Sequence, residues 1–197
     1  MKEVRQLEEA IAEFYGAKYA IATDCCTHAI ELCLRLQDIK NATVPKHTYL
    51  SVPMTLEKLG VNYKFTDTYW KDYYRIGNTN IVDAAVYWKR NSYIPDTFMC
   101  LSFQYRKHLN LGRGGMILTD DSEAAIDLKK MSYDGRVPDT LWAEQDVDML
   151  GYHYYMTPET AELGLNKLKQ AKESEPKRWS YKDYPDISKM RVFNNAK

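Results

Sequence analysis

The chain lacks any run approaching the about 20 apolar residues that a membrane-spanning helix requires, so a helical membrane protein is excluded as a class. It has no surplus of either charge: 27 basic residues balance 27 acidic ones, and the isoelectric point is near 6.9. That balance removes the electrostatic case for a nucleic-acid partner or an anionic membrane surface. Cysteine is sparse, and Cys25, Cys26, Cys33 and Cys100 form no C-x-x-C pair. They lie in apolar segments, and adjacent cysteines rarely bridge each other, so reduced thiols in a cytoplasm are expected. The start, Met1-Lys2-Glu3-Val4, lacks the apolar core of a signal peptide. Repeats and low-complexity tracts are also missing. What is abundant is tyrosine, with 16 residues, a composition that suits half-buried surface and interfaces. At 197 residues the chain suits one domain with an ample core.

Periodicity predicts alternating helices and strands. Val4, Leu7, Ile11 and Phe14 share a helical face that ends at Gly16. Tyr19–Thr23 reads as a buried strand, and Asp24 as the N-cap of a helix carrying Ala29, Ile30, Cys33 and Leu36. A strand at 42–44 stops at Pro45, a helix spans 51–59, and a strand spans 61–66. Residues 67–79 are polar and aromatic without period and read as loop. Strands follow at 80–84, 98–103 and 116–119. Asp120-x-x-Glu123 has a capping-box pattern, and Thr157-Pro158 opens a helix. The pattern predicts an α/β three-layer sandwich around a mostly parallel central sheet, with a main domain at 1–172. Residues 173–197 read as a charged tail, extended or partly disordered.

The most informative stretch is 101–115, Leu-Ser-Phe-Gln-Tyr-Arg-Lys-His-Leu-Asn-Leu-Gly-Arg-Gly-Gly. A strand ends at Ser102, a lysine follows at 107, and a glycine turn leads into the next strand. A lysine at a strand end beside such a turn is placed like an active-site amine. This segment resembles the Schiff-base segment of the DegT family of sugar aminotransferases, enzymes that use pyridoxal phosphate. Other pieces resemble that family in the same order. Cys25-Cys26-Thr27 stands where it usually has Ser-Gly-Thr, and Val44-Pro45-Lys46-His47-Thr48-Tyr49 resembles its Val-Pro-x-x-Thr-aromatic segment. Val82-Asp83-Ala84-Ala85 resembles Glu-Asp-Ala-Ala, and Gly151-Tyr152-His153-Tyr154-Tyr155-Met156 resembles Gly-Tyr-Asn-Tyr-Arg-Met.

The resemblance implies roles. Lys107 is the amine that holds the cofactor aldehyde and, once displaced, moves the substrate proton. Asp83 faces the pyridine nitrogen and keeps it protonated, so that the ring acts as an electron sink. Ser102 donates its hydroxyl to the phosphate, and Cys26 and Thr27 offer amides and a hydroxyl at a helix start. Tyr49 stacks on the ring. His153 replaces an asparagine that reaches the phosphate from the neighbouring subunit of a homodimer. The implied substrates are an amino acid donor, glutamate foremost, and a keto-sugar that is nucleotide-linked; no metal is implied.

The sequence departs from the family in several places. Val86 stands where a glutamine or histidine lies near the ring hydroxyl, Arg113 replaces a glutamate, and Tyr155 replaces an arginine. Only residues 68–81 separate Asp67 from Val82, where the family fits a further strand and helices. After Lys169 its small domain has no counterpart in this sequence. Other chemistry on the same cofactor, or a degenerate module that binds pyridoxal phosphate or a sugar nucleotide without transamination, are the alternatives.

Overall fold

The computed structural model describes residues 1–194. The chain runs α1 (Lys2–Tyr15), β1 (Tyr19–Thr23), α2 (Cys26–Leu36), β2 (Asn41–Pro45), α3 (Ser51–Lys58), β3 (Asn62–Thr66), β4 (Tyr74–Arg75) and β5 (Ile81–Asp83). Then come β6 (Phe98–Ser102), β7 (Gly115–Thr119), α4 (Ser122–Ser132), α5 (Pro158–Glu173) and α6 (Arg191–Asn194). No helix among the described residues is long and apolar enough to cross a membrane.

Strand alternation builds the predicted three layers. Ile21, Phe98, Cys100 and Ile117 face α2 and α4, where they meet Ile30, Cys33 and Leu128. Their neighbours Ala22, Met99, Leu101, Met116 and Leu118 face α1 and α5, against Leu7, Ile11 and Leu168. Successive side chains point to opposite faces, so burying both faces demands unbroken apolar strands, as in β6 and β7. The free thiols of Cys33 and Cys100 lie 3.9 Å apart at the α2–β6 contact.

The sheet is mixed. Its order is β1-β7-β6-β5-β4, with only β5–β6 parallel among its neighbouring pairs. β1, β5 and β6 therefore share one direction, and β7 and β4 oppose it. The connection from β6 to β7 carries no crossover helix, so the chain returns antiparallel. β2 and β3 form a separate parallel pair. The turn between β4 and β5 bridges the two sheets. At Gly77 (φ 56°) a Cβ would lie 2.8 Å from the backbone nitrogen of Thr43 on β2, so the two segments touch backbone to backbone.

Local boundaries differ from the sequence reading where side chains found other partners. Cys25, in extended conformation, is the N-cap of α2 and provides no side-chain cap. Asp24 is drawn instead to His28 and Arg113. Asp121, not Asp120, caps α4, accepting from the amides of Glu123 and Ala124. The stretch read as loop contains β4, and the tail is folded back rather than extended away from the body. The amide of Asp72 donates to the Trp179 carbonyl at 2.9 Å, that of Tyr181 to Trp70 at 3.1 Å, and that of Ile187 to Lys46 at 2.9 Å. Ser180 and Asp183 form a capping box, and Ile187 is fully buried. The tail thus covers the flank that the short 67–79 segment leaves open.

Candidate active site

β5 and β6 run in the same direction, so their carboxyl ends, Asp83 and Ser102, open to the same side of the sheet. Ligands in open α/β sheets bind outside such ends. A cleft of about 660 Å³ lies there, lined by Cys26, Thr27, Tyr49, Asp83, Ser102 and Lys107. Six of the seven predicted site residues are therefore brought together, from five places in the chain. The seventh, His153, is elsewhere: its side chain is 71% exposed, with Nδ1 3.2 Å from Asp134.

Gly115 organises the end of the cleft beside Ser102. It is the first residue of β7, paired to Ser102 on one side and to Thr23 on the other. A Cβ there would lie 2.4 Å from the Cys25 carbonyl carbon and 2.5 Å from the Cys26 nitrogen. Only glycine lets the start of α2 sit against the sheet beside Ser102. The first turn of α2 gets no side-chain cap from Cys25, and its residues line the cleft. Amides at such a helix start, with the positive end of the dipole, suit an anion. The Thr27 hydroxyl donates to Ser51 Oγ at 2.8 Å. Burial pushes the Cys26 thiol well above its ordinary value, so it stays protonated.

Asp83 is buried, and its carboxylate accepts from the Tyr74 hydroxyl at 2.7 Å and from the Ala85 amide at 3.0 Å. Tyr74 is itself paired with the Thr48 hydroxyl. Burial raises the Asp83 pKa above the ordinary carboxylate value, against the pull of Tyr74, the Ala85 amide and Lys107. Among the described residues it has no ion-pair partner. A buried carboxylate of this kind, facing a cleft, is suited to receive a cation from a ligand.

Lys107 sits on the turn after β6, its amide donating to the Gln104 carbonyl at 2.8 Å. Burial lowers its pKa, opposed by Asp83 and Cys26, so the amine is shifted toward its neutral, nucleophilic form. Its Nζ lies 5.5 Å from the centre of the Trp179 ring, which the folded-back tail supplies with Asp183 and Tyr184 as one wall of the cleft. Tyr49 lies on the rim, 60% exposed. At the outer edge His28 Nδ1 and Asp24 are 2.6 Å apart, and Arg113 donates to the other Asp24 oxygen at 2.7 Å. The His28 ring stacks on Tyr154 at 3.6 Å.

The sequence profile of the DegT/DnrJ/EryC1/StrS aminotransferase family matches residues 1–95 and 95–184. The chain belongs to this family. It is similar to the UDP-4-amino-4,6-dideoxy-N-acetyl-beta-L-altrosamine transaminase of Campylobacter jejuni, with 22% identity covering 100% of this chain and 65% of that one. The spore coat polysaccharide biosynthesis protein SpsC of Bacillus subtilis is 24% identical, over 89% of this chain and 59% of its own length. Among solved structures, AtS13 from Actinomadura melliaura superposes with a TM-score of 0.76 at 19% identity, covering 88% of this chain and 61% of that one. This DegT-family chain thus has the fold of the aminotransferases and spans about three fifths of the length of these relatives.

The donor set fits pyridoxal phosphate. A buried carboxylate with no ion-pair partner among the described residues matches a protonated ring nitrogen, an amine with lowered pKa matches an aldehyde, and a helix start without a side-chain cap matches a phosphate. Sequence reasoning missed Tyr74 and the tail residues Trp179 and Tyr184. A two-residue strand has no period to read, and a charged tail gives no sign of where it docks. Thr48 lay within the recognised Val-Pro-x-x-Thr segment and was legible there.

Proposed function

We propose that this chain is a pyridoxal-phosphate-dependent aminotransferase that moves an amino group from an amino acid, glutamate being the expected donor, to a nucleotide-linked keto-sugar. The observation that carries the reading is the buried, ion-pair-free Asp83 sharing one cleft with Lys107 and the start of α2. Similarity to a transaminase named for a UDP-linked amino sugar supports the acceptor class. The four free thiols suit a cytoplasmic location.

Bound in the cleft, pyridoxal phosphate supplies an aldehyde that captures amines and a ring that takes up the electrons of a broken C–H bond. Lys107 Nζ is the amine that would hold the cofactor's aldehyde and, when free, would serve as the base for the donor's α-proton. Asp83 would keep a ring nitrogen protonated, with its carboxylate held by Tyr74, which is paired in turn with Thr48. Ser102, Thr27 and the amides of Cys26 and Thr27 would hold the phosphate, and Tyr49 at the rim would stack on the ring. Trp179 and Tyr184 keep water from the reacting face. The assembly is a homodimer in which His153 of one protomer reaches the phosphate held by its partner.

Val86, which lines the cleft without a polar atom, favours the second reading, a cofactor-binding module without turnover. The purified protein, loaded with pyridoxal phosphate and reduced with borohydride, should carry the label on the Lys107 peptide. Lys107→Ala should lose the label and reduce the glutamate half-reaction by several orders of magnitude, while its circular dichroism stays unchanged. Label on Lys89 or Lys129 would end the assignment. A labelled Lys107 with no half-reaction would select the module.

A further inference from the structure

Beside the cleft, with Lys107, Arg106 and Val86 as shared walls, lies a chamber of about 290 Å³ also lined by Tyr87, Trp88 and Lys177. Val86, Tyr87, Trp88 and Lys177 also line a second, outer groove of about 360 Å³. The two spaces therefore adjoin, with these four residues as the wall they share. The outer groove gathers Lys89, Arg90, Lys172, Lys177 and Arg178, against only two carboxylates, Asp72 and Glu175. In a chain whose charges balance to zero, this is a local concentration of one sign.

The cations are not neutralised by the protein. Among the described residues only Lys177 pairs with a carboxylate, Asp183 at 3.1 Å. Arg90 and Lys172 converge on one ring instead: the Arg90 guanidinium carbon is 5.2 Å from the Phe14 centroid and Lys172 Nζ is 5.7 Å from it. The opposing support is rigid, because Trp88 stacks on Phe14 at 4.6 Å and donates its indole N–H to the Ala171 carbonyl at 2.9 Å. Holding like charges on a fixed platform costs repulsion that a bound anion removes. A guanidinium fork flanked by ammonium groups is the arrangement that grips a phosphate chain.

We infer that this groove binds the diphosphate of a nucleotide-linked sugar, with the sugar directed through the inner chamber to Lys107. The inference rests on the transaminase reading for its ligand, and it gives that reading a substrate site made by the loop after Asp83 and the end of α5.

The test is calorimetric titration of the cofactor-loaded protein with UDP and with uridine. UDP should bind at least about tenfold tighter than uridine, and the difference should shrink as salt is raised. Arg90→Gln with Lys172→Gln should remove that difference while the borohydride label on Lys107 stays at its wild-type level. Lys89→Gln with Arg178→Gln, both at exposed positions, should weaken UDP in the same direction and guards against misfolding of the first pair. UDP binding no tighter than uridine, or unchanged in both double variants, would overturn the groove. A missing label on Lys107 with UDP binding intact would overturn the cofactor reading and leave the groove standing.

Discussion

His28 shows how one side chain acquires a charge that its type does not guarantee. Burial alone would lower its pKa. The hydrogen bond to Asp24 and the neighbouring Cys25 outweigh that and raise it from 6.5 to about 9. Asp24 shifts the opposite way: burial raises its pKa, but His28 and Arg113 together hold it below its ordinary value. Because the folded pKa of His28 lies above the unfolded one, its contribution to stability is complete below about pH 6.5. It declines through neutral pH and is lost above about pH 9. The melting-temperature difference between wild type and His28→Gln should therefore be largest at mildly acid pH and vanish near pH 9.5. A difference independent of pH would refute the pairing. Such a role was invisible in the sequence, where Asp24 looks like an ordinary helix cap. The spacing to Arg113 is decided by the turn before β7.

The decisive contacts between elements are between backbones. The start of α2 can approach β7 only because Gly115 has no side chain, and Ser102, Thr23 and Cys26 all take their positions from that approach. Gly115→Ala puts a methyl group within 2.4 Å of the Cys25 carbonyl carbon, where no flexible side chain can yield. The expected cost is about 1–3 kcal/mol of stability, with cofactor lost on dilution as α2 is pushed outward. Gly60→Ala is the control, since nothing lies within 4 Å of its Cβ position and only its φ of 66° is strained. Thermal unfolding and retained visible absorbance after gel filtration measure both effects. Equal cofactor retention in the two variants would refute this account of Gly115. Elements of this kind were largely legible: α1 ends at Gly16, and β6 sorts Phe98 and Cys100 from Met99 and Leu101 by simple alternation. β4 was not, because two residues carry no period and its pairing to β5 depends on a partner already in place.

For the whole molecule, the proposed homodimer has a visible surface to form on. Leu141, Trp142 and Leu150 are 68%, 72% and 84% exposed, on the segment leading directly to His153. Exposed apolar side chains of this size are common at interaction sites, and tryptophan is favoured in interface cores. The two-fold interface is expected to bury well above ~2,000 Å² in total, as permanent dimers do. Trp142→Glu with Leu150→Glu should give monomers in sedimentation and lower the affinity for pyridoxal phosphate, since His153 no longer reaches the partner's site. An active wild-type monomer at assay concentration would refute this.

The sequence by itself determined the layers and the order of the main elements. Period and composition are local properties, whereas Lys107, Asp83 and Ser102 were picked out by motifs that resemble the DegT family in their order. Only the tertiary structure decided the mixed sheet, the Tyr74–Thr48 support beneath Asp83, and the tail wall of Trp179 and Tyr184 beside Lys107. Each of these joins residues far apart in the chain, through partners whose positions exist only once the sheet has formed. A strand's direction follows from the connection it receives, and a charged tail docks wherever an uncovered flank offers backbone groups and aromatic rings. Here that flank is the one left by the short stretch between Asp67 and Val82, and the same shortness gives the cleft its wall.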